Sequence, residues 1–239
     1  MNQREAEDHF AVQAGLNLHW DDIFTAFSKP GAFKELTELS FANATIRNFD
    51  IVHIHHLPKL SILNLDHTGI GNEGVYLLIP LKYTLTQLHL ANNVDIDNNA
   101  AYALMLFKRL AFLSIHDTAI DMVGVRQIAL ALEEDKRDMI LKIPFICQEY
   151  LNTIDSKYFV DAAPPLIVNE HLCSQLSAST LKRNLEAHAV YNPTILSVGT
   201  RPELVFRLTE LLRTRRLDKL VLKMVEAQDC DKENNPLEW

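Results

Sequence analysis

Between residues 36 and 120 the apolar positions fall into a pattern that repeats. Leu36, Leu39 and Phe41 are followed by Ile46; Leu60, Leu63 and Leu65 by Ile70; Leu85, Leu88 and Leu90 by Ile96; and Leu110, Leu113 and Ile115 by Ile120. The units start 24, 25 and 25 residues apart. Within each, the apolar residues stand at offsets 0, 3 and 5, then at 10, or at 11 in the third. The step from 3 to 5 has the period of a strand, so each unit predicts a short strand with its leucines turned to one side. At offset 8 stand Ala44, Thr68, Asn93 and Thr118. A small polar side chain there can hydrogen-bond backbone groups where the chain bends. Leu141-Lys142-Ile143 reads as a weaker fifth strand after a longer gap.

The segments between the strands carry a helical period. Asn72–Tyr83 is apolar at Val75, Leu78 and Ile79, with Pro80 shortening or kinking it. Asp97–Lys108 is apolar at Ala101, Leu104, Met105 and Phe107, and Asp121–Glu134 at Val125, Ile128, Leu130 and Leu132. Asp97 and Asp121 are predicted N-caps. Ahead of the first unit, His19–Phe27 reads as a helix that caps it.

The pattern LxxLxLxx(N/T)xI, four times in register, resembles the leucine-rich repeat family over about residues 30–146. The 24–25-residue units with helical returns are most similar to the ribonuclease-inhibitor-like and F-box-associated repeat classes, although no F-box pattern stands in residues 1–35. The resemblance implies an α/β fold, a short solenoid of parallel strands with convex helices. It also implies that the residues between the leucines line a concave, protein-binding face: Glu38, Ser40 and Ala42; Ile62, Asn64 and Asp66; Gln87, His89 and Ala91; Phe112, Ser114 and His116. That set is mildly polar with two apolar anchors. It holds no stripe of Lys or Arg, so it does not read as a phosphate-binding surface.

Composition narrows the chemistry. The 239 residues hold only seven glycines, too few for a Gly-rich phosphate loop, and no apolar run spans a bilayer. The acidic first residues do not read as a signal peptide. Three scattered cysteines, Cys147, Cys173 and Cys230, point to reduced thiols and an intracellular setting, nucleus or cytoplasm. His53-Ile54-His55-His56 lacks a Cys or carboxylate at a fixed short spacing, so no metal site is predicted. Asp66, His67, His89 and His116 sit on or beside the strands, but no Ser or Cys nucleophile accompanies them. No catalytic residue, cofactor or enzymatic activity is therefore expected, and a hydrolase using these Asp/His residues is the remote alternative.

The repeat pattern stops by Pro164-Pro165. From Leu176 to Glu226 there are nine Lys/Arg against five Asp/Glu, a local +4 in a chain of net −8, which leaves −12 elsewhere. Ser179–His188 predicts a capped helix, and Thr200-Arg201-Pro202-Glu203 opens another with a capping box and a proline in its first turn. The elements Leu181-Lys182-x-x-Leu185 and Gly199-Thr200-Arg201-x-Glu203-Leu204-x-x-Arg207-Leu208 resemble the SAP motif, a helix–loop–helix that binds DNA. The loop from Ala189 to Leu196 is longer than that family's. The resemblance implies nucleic-acid contacts from Lys182, Arg183, Thr200 and Arg201, extended by Arg213, Arg215 and Arg216, and favours a nuclear location. The alternative is a scaffold whose C-terminal helices only cap the repeats.

The organisation expected is therefore a helical N-terminal cap (1–35), repeats (36–146), a linking segment (147–175), a small SAP-like all-α module (176–226) and a disordered polar tail (227–239). Lys232-Glu233-Asn234 in that tail matches the KEN-box signal read by a cell-cycle ubiquitin ligase. The functional expectation is an interaction or adaptor protein: a protein partner on the repeat face and nucleic acid on the basic module.

Overall fold

The computed structural model describes His9–Ala11, Phe24, Ala26, Phe27, Lys29, Gly31 and residues 33–234. The chain divides into two compact units, one of Met1–Cys147 with Met224–Trp239 and one of Gln148–Lys223.

The first unit holds a parallel six-stranded sheet, with strands side by side in chain order. These are β1 (His9–Ala11), β2 (Glu38–Ser40), β3 (Ile62–Asn64), β4 (Gln87–His89), β5 (Phe112–Ser114) and β6 (Ile140–Lys142). The register brings Leu39, Leu63, Leu88, Leu113 and Leu141 into one row, and all five are buried. Parallel strands need a crossover, and short helical segments provide it: a 3-10 turn at Asn48–Ile54, helix α1 (Asn72–Leu77), a 3-10 turn at Asn98–Ala100 running into α2 (Ala101–Met105), and α3 (Met122–Asp135). Ile51, Ile54, Val75, Leu78, Leu104, Val125 and Ile128 bring the helical side into the same buried core as the leucines.

Asp97 and Asp121 cap as expected, accepting from the Asn99 and Val123 amides at 2.8 and 2.7 Å. Pro80 lies in a 3-10 turn, Ile79–Leu81, which follows α1. The periodicity predicted one helix over Asn72–Tyr83; the missing proline N–H and ring bulk divide it. β1 was not expected at all. It pairs with β2 in a stretch read as part of a helical cap. Of the capping helix predicted over His19–Phe27, only Phe24, Ala26 and Phe27 are among the described residues; all three are helical. The Phe24 and Phe27 rings are buried, 5.3 and 6.1 Å from the ring of Phe41.

The second unit is described by itself. Helix α4 (Phe145–Asn152) leads into it, α5 (Ala178–Ala189) lies within it, and α6 (Arg201–Asn234) belongs to it as far as Lys223. Cys173, Leu181, Leu185, Leu204, Leu208 and Leu212 form its buried apolar cluster. The tail expected to be disordered from Ala227 continues helix α6 through Asn234, so Lys232-Glu233-Asn234 has helical backbone.

Candidate interaction surface

The turns after β2 to β5 hold the sheet face in place. Asn43, His67, Asn92 and Asp117, one per unit, all adopt left-handed backbone at φ of 51–63°. Asn, Asp and His tolerate that region better than other side chains. Next to it, the offset-8 residue bonds the backbone. Asn93 is wholly buried; its Oδ1 accepts from the Thr68 and Gly69 amides at 3.1 and 2.9 Å. Its Nδ2 donates to the carbonyls of Leu65 and Leu90 at 2.8 and 2.9 Å. The Thr68 and Thr118 hydroxyls donate to the carbonyls of Leu65 and Ile115, each at 2.8 Å.

On this frame the inter-leucine residues form two rows. Glu38, Ile62, Gln87, Phe112 and Ile140 are in register, and so are Ser40, Asn64, His89, Ser114 and Lys142. The expected face is thus brought together, and Ile140 and Lys142 extend it beyond the expected set. The sequence predicts their strand one residue out of phase, over Leu141–Ile143, where the structure has Ile140–Lys142; alternation about the buried Leu141 places them on the face. Most of the face is half-buried. Ala91 and Ser114 are buried, while His116, Ile140 and Lys142 are exposed.

The charged groups are interlinked. Asp66 Oδ1 accepts from the Ala91 amide at 2.7 Å, and its other oxygen lies 4.0 Å from His89 Nδ1. Loss of solvent raises the Asp66 carboxyl above its ordinary range, against the amide bond and the nearby His89 and Lys142. Burial lowers the His89 imidazole, so it is neutral near pH 7. The His89 ring sits 4.7 Å from Phe112, and the Lys142 ammonium lies 5.4 Å over the same Phe112 ring. His67 and His116 turn to other partners: His67 Nδ1 meets Asn43 Oδ1 at 3.2 Å, and His116 Nε2 meets Asp117 at 3.2 Å. In the histidine run, His55 Nε2 bonds the Leu77 carbonyl at 2.6 Å. No group of three or more His, Cys, Asp or Glu capable of holding a metal occurs among the described residues.

No protein-family model and no curated protein matches this chain.

In the second unit the residues expected to meet phosphate are largely occupied. Arg215 is corrected outright: it is 5% exposed, and its guanidinium donates to the Val160 and Ala162 carbonyls at 2.8 and 2.9 Å. Arg216 pairs with the buried Glu170 at 2.8 Å. Arg201 donates to the carbonyls of Leu176 and Ser174 at 3.2 and 2.6 Å. The Thr200 amide and hydroxyl both donate to Glu203 Oε2, at 2.7 and 3.0 Å, so the helix's own carboxylate takes the place an anion would use. Gly199 makes this fit: its φ is +142°, and a Cβ there would lie 2.6 Å from that carboxylate oxygen. Lys182, Arg183 and Arg213 are exposed. Lys182 lies 3.6 Å from Glu186, and Arg183 reaches the Pro165 carbonyl at 3.5 Å. Sequence spacing gave no sign that Val160, Ala162 and Ser174 would turn their carbonyls to these arginines, because the partners are 27 to 55 residues away.

Among the described residues no helix is long and apolar enough to cross a membrane. Cys147 and Cys173 are buried free thiols. Burial pushes the Cys147 thiol up to about 11, and raises that of Cys173 as well.

Proposed function

We propose that the protein is an intracellular, non-enzymatic interaction protein of the leucine-rich-repeat kind, whose concave face holds a protein partner. In this reading the first unit is a short solenoid. The second is a small helical module whose basic residues mainly hold its own loops. The observation that carries it is the double row from Glu38 to Lys142: a half-buried face with apolar anchors at Ile62, Phe112 and Ile140, set on a rigid hydrogen-bonded frame. Aromatic anchors ringed by polar groups suit a protein interface. Unpaired Cys147 and Cys173 suit a reducing compartment.

A photo-crosslinking residue in place of Gln87, on the face, tests this against one in place of Gln127, on α3. Crosslinks to one defined protein through position 87 and none through 127 are expected. Equal yields at both positions would sink the reading.

Nucleic-acid binding remains a second reading, supported by the exposed Lys182, Arg183 and Arg213. So few contacts give weak binding, with a dissociation constant on the order of 10⁻⁴ M and strong salt dependence. Fluorescence anisotropy with short duplex DNA and single-stranded RNA, with and without Lys182→Ala/Arg183→Ala, decides it. Absence of binding at low salt removes it.

A further inference from the structure

The face has a polarity along the sheet that fits one kind of ligand. Its carboxylates, Glu38 and Asp66, stand at β2 and just past β3, whereas Lys142 stands on β6 at the other end. Lys142 is exposed and makes no ion pair among the described residues; its ammonium lies over the Phe112 ring, and its charge also acts on Asp66 and His89. Between the two ends lie Ile62 and Phe112, and the exposed Ile140 stands beside Lys142 on β6. Three to four strand spacings of ~4.8 Å separate the strands that carry these charges, roughly 14–19 Å, the reach of about five or six extended residues at ~3.3 Å each.

Resting on the proposed partner-binding face, we infer that the partner presents an extended segment of about six residues with a carboxylate at one end, an apolar side chain in the middle and a Lys or Arg at the other. The carboxylate meets Lys142, the apolar group lies on Phe112 and Ile140, and the cation meets Asp66 on the Glu38 side. The electrostatics of the empty face agree. Asp66 is partly stripped of water, with a neutral imidazole at 4.0 Å and the Lys142 charge acting on it only from beyond ion-pair distance, so an arriving guanidinium or ammonium supplies a close countercharge. His116 is already turned to Asp117, which leaves Lys142 as the cation available to an acidic group on this part of the face.

The test uses the full chain and labelled hexapeptides with Arg at one end, Leu in the middle, Glu at the other and serine elsewhere. Fluorescence anisotropy measures their binding to the wild type and to Lys142→Glu and Phe112→Ala. Replacing the peptide Glu by Gln is expected to weaken binding about tenfold, the size of a 1.4 kcal/mol contact. Lys142→Glu is expected to reverse the preference, so that a peptide with Lys in place of Glu binds better. Charge-blind binding that Phe112→Ala removes overturns the inference and leaves the partner-binding face standing. Binding indifferent to both substitutions overturns both. No binding by any peptide overturns the inference alone, and the crosslinks through position 87 then decide the face.

Discussion

Asn93 joins two turns with one side chain. Its amide accepts from one turn and donates into both, in a site closed to water. Asn93→Ala strands the Thr68 and Gly69 amides and the Leu90 carbonyl without partners, each costing roughly 1–3 kcal/mol when buried. A total loss of about 3 kcal/mol is expected in urea unfolding, whereas Thr118→Val, which removes the hydroxyl bond to Ile115 and a long one from the Ile120 amide, should cost about 1 kcal/mol. Cys147 behaves in the opposite sense to a reactive thiol. With its titration pushed up to about 11 and its side chain buried, it should resist a maleimide in the native state and react only on unfolding. Rapid native labelling at Cys147 would contradict this placement.

At the scale of elements, a second ladder ties the helical side together. Asn48, Asn72 and Asn98 accept from the amides of Gly71, Asp97 and Asp121 at 2.9, 3.0 and 3.0 Å. Gly124 and Gly74 stand where this ladder passes close: a Cβ on Gly124 would lie 2.5 Å from Asn98 Oδ1, and one on Gly74 2.8 Å from Asn48 Oδ1. Gly124→Ala, which raises helix propensity, should therefore destabilise by about 1–3 kcal/mol instead of stabilising. The end of α3 invites the reverse. Lys136 sits at φ 52°, with its amide bonding Glu133 and that of Arg137 bonding Leu132. This is a helix terminator normally built with glycine, and Lys136→Gly should add up to about 1 kcal/mol of stability.

At the scale of the molecule, the second unit carries a built-in acid sensitivity. His188 is fully buried, accepts from the Phe159 amide through Nδ1, and lies near the Arg215 charge. Burial, then Arg215, pushes it down to about 4 from 6.5. Its folded value is lower than its unfolded one, so the unfolded chain binds the proton more readily. Stability is complete above about pH 6.5 and declines as pH falls toward 4. From pH 7 to about pH 5 the loss should be about 2 kcal/mol in urea unfolding. His188→Gln should flatten that dependence; an unchanged slope would mean another group governs it. Asp218 is also fully buried in this unit, accepting from the Tyr150 and Tyr158 hydroxyls at 3.1 and 2.6 Å.

The sequence by itself determined the strands β2 to β5, their buried leucines, the bonding turn residues and the two aspartate caps. All of these depend on neighbours a few positions away, and a fixed 24–25-residue spacing repeats them. It also placed eight of the ten positions in the two rows of the face, because alternation about a buried leucine puts its neighbours on the other side. Only the tertiary structure decided the rest. Lys142 and Ile140 join the face because β6 pairs with β5 in register, after a gap that breaks the spacing. His9–Ala11 becomes a strand because β2 offers it an edge. Arg201, Arg215 and Arg216 look like phosphate ligands in a basic stretch of sequence. Carbonyls and a carboxylate brought from 27 to 55 residues away occupy them instead. Charge is legible in a sequence, but whether a charge is already satisfied depends on contacts between residues far apart along the chain.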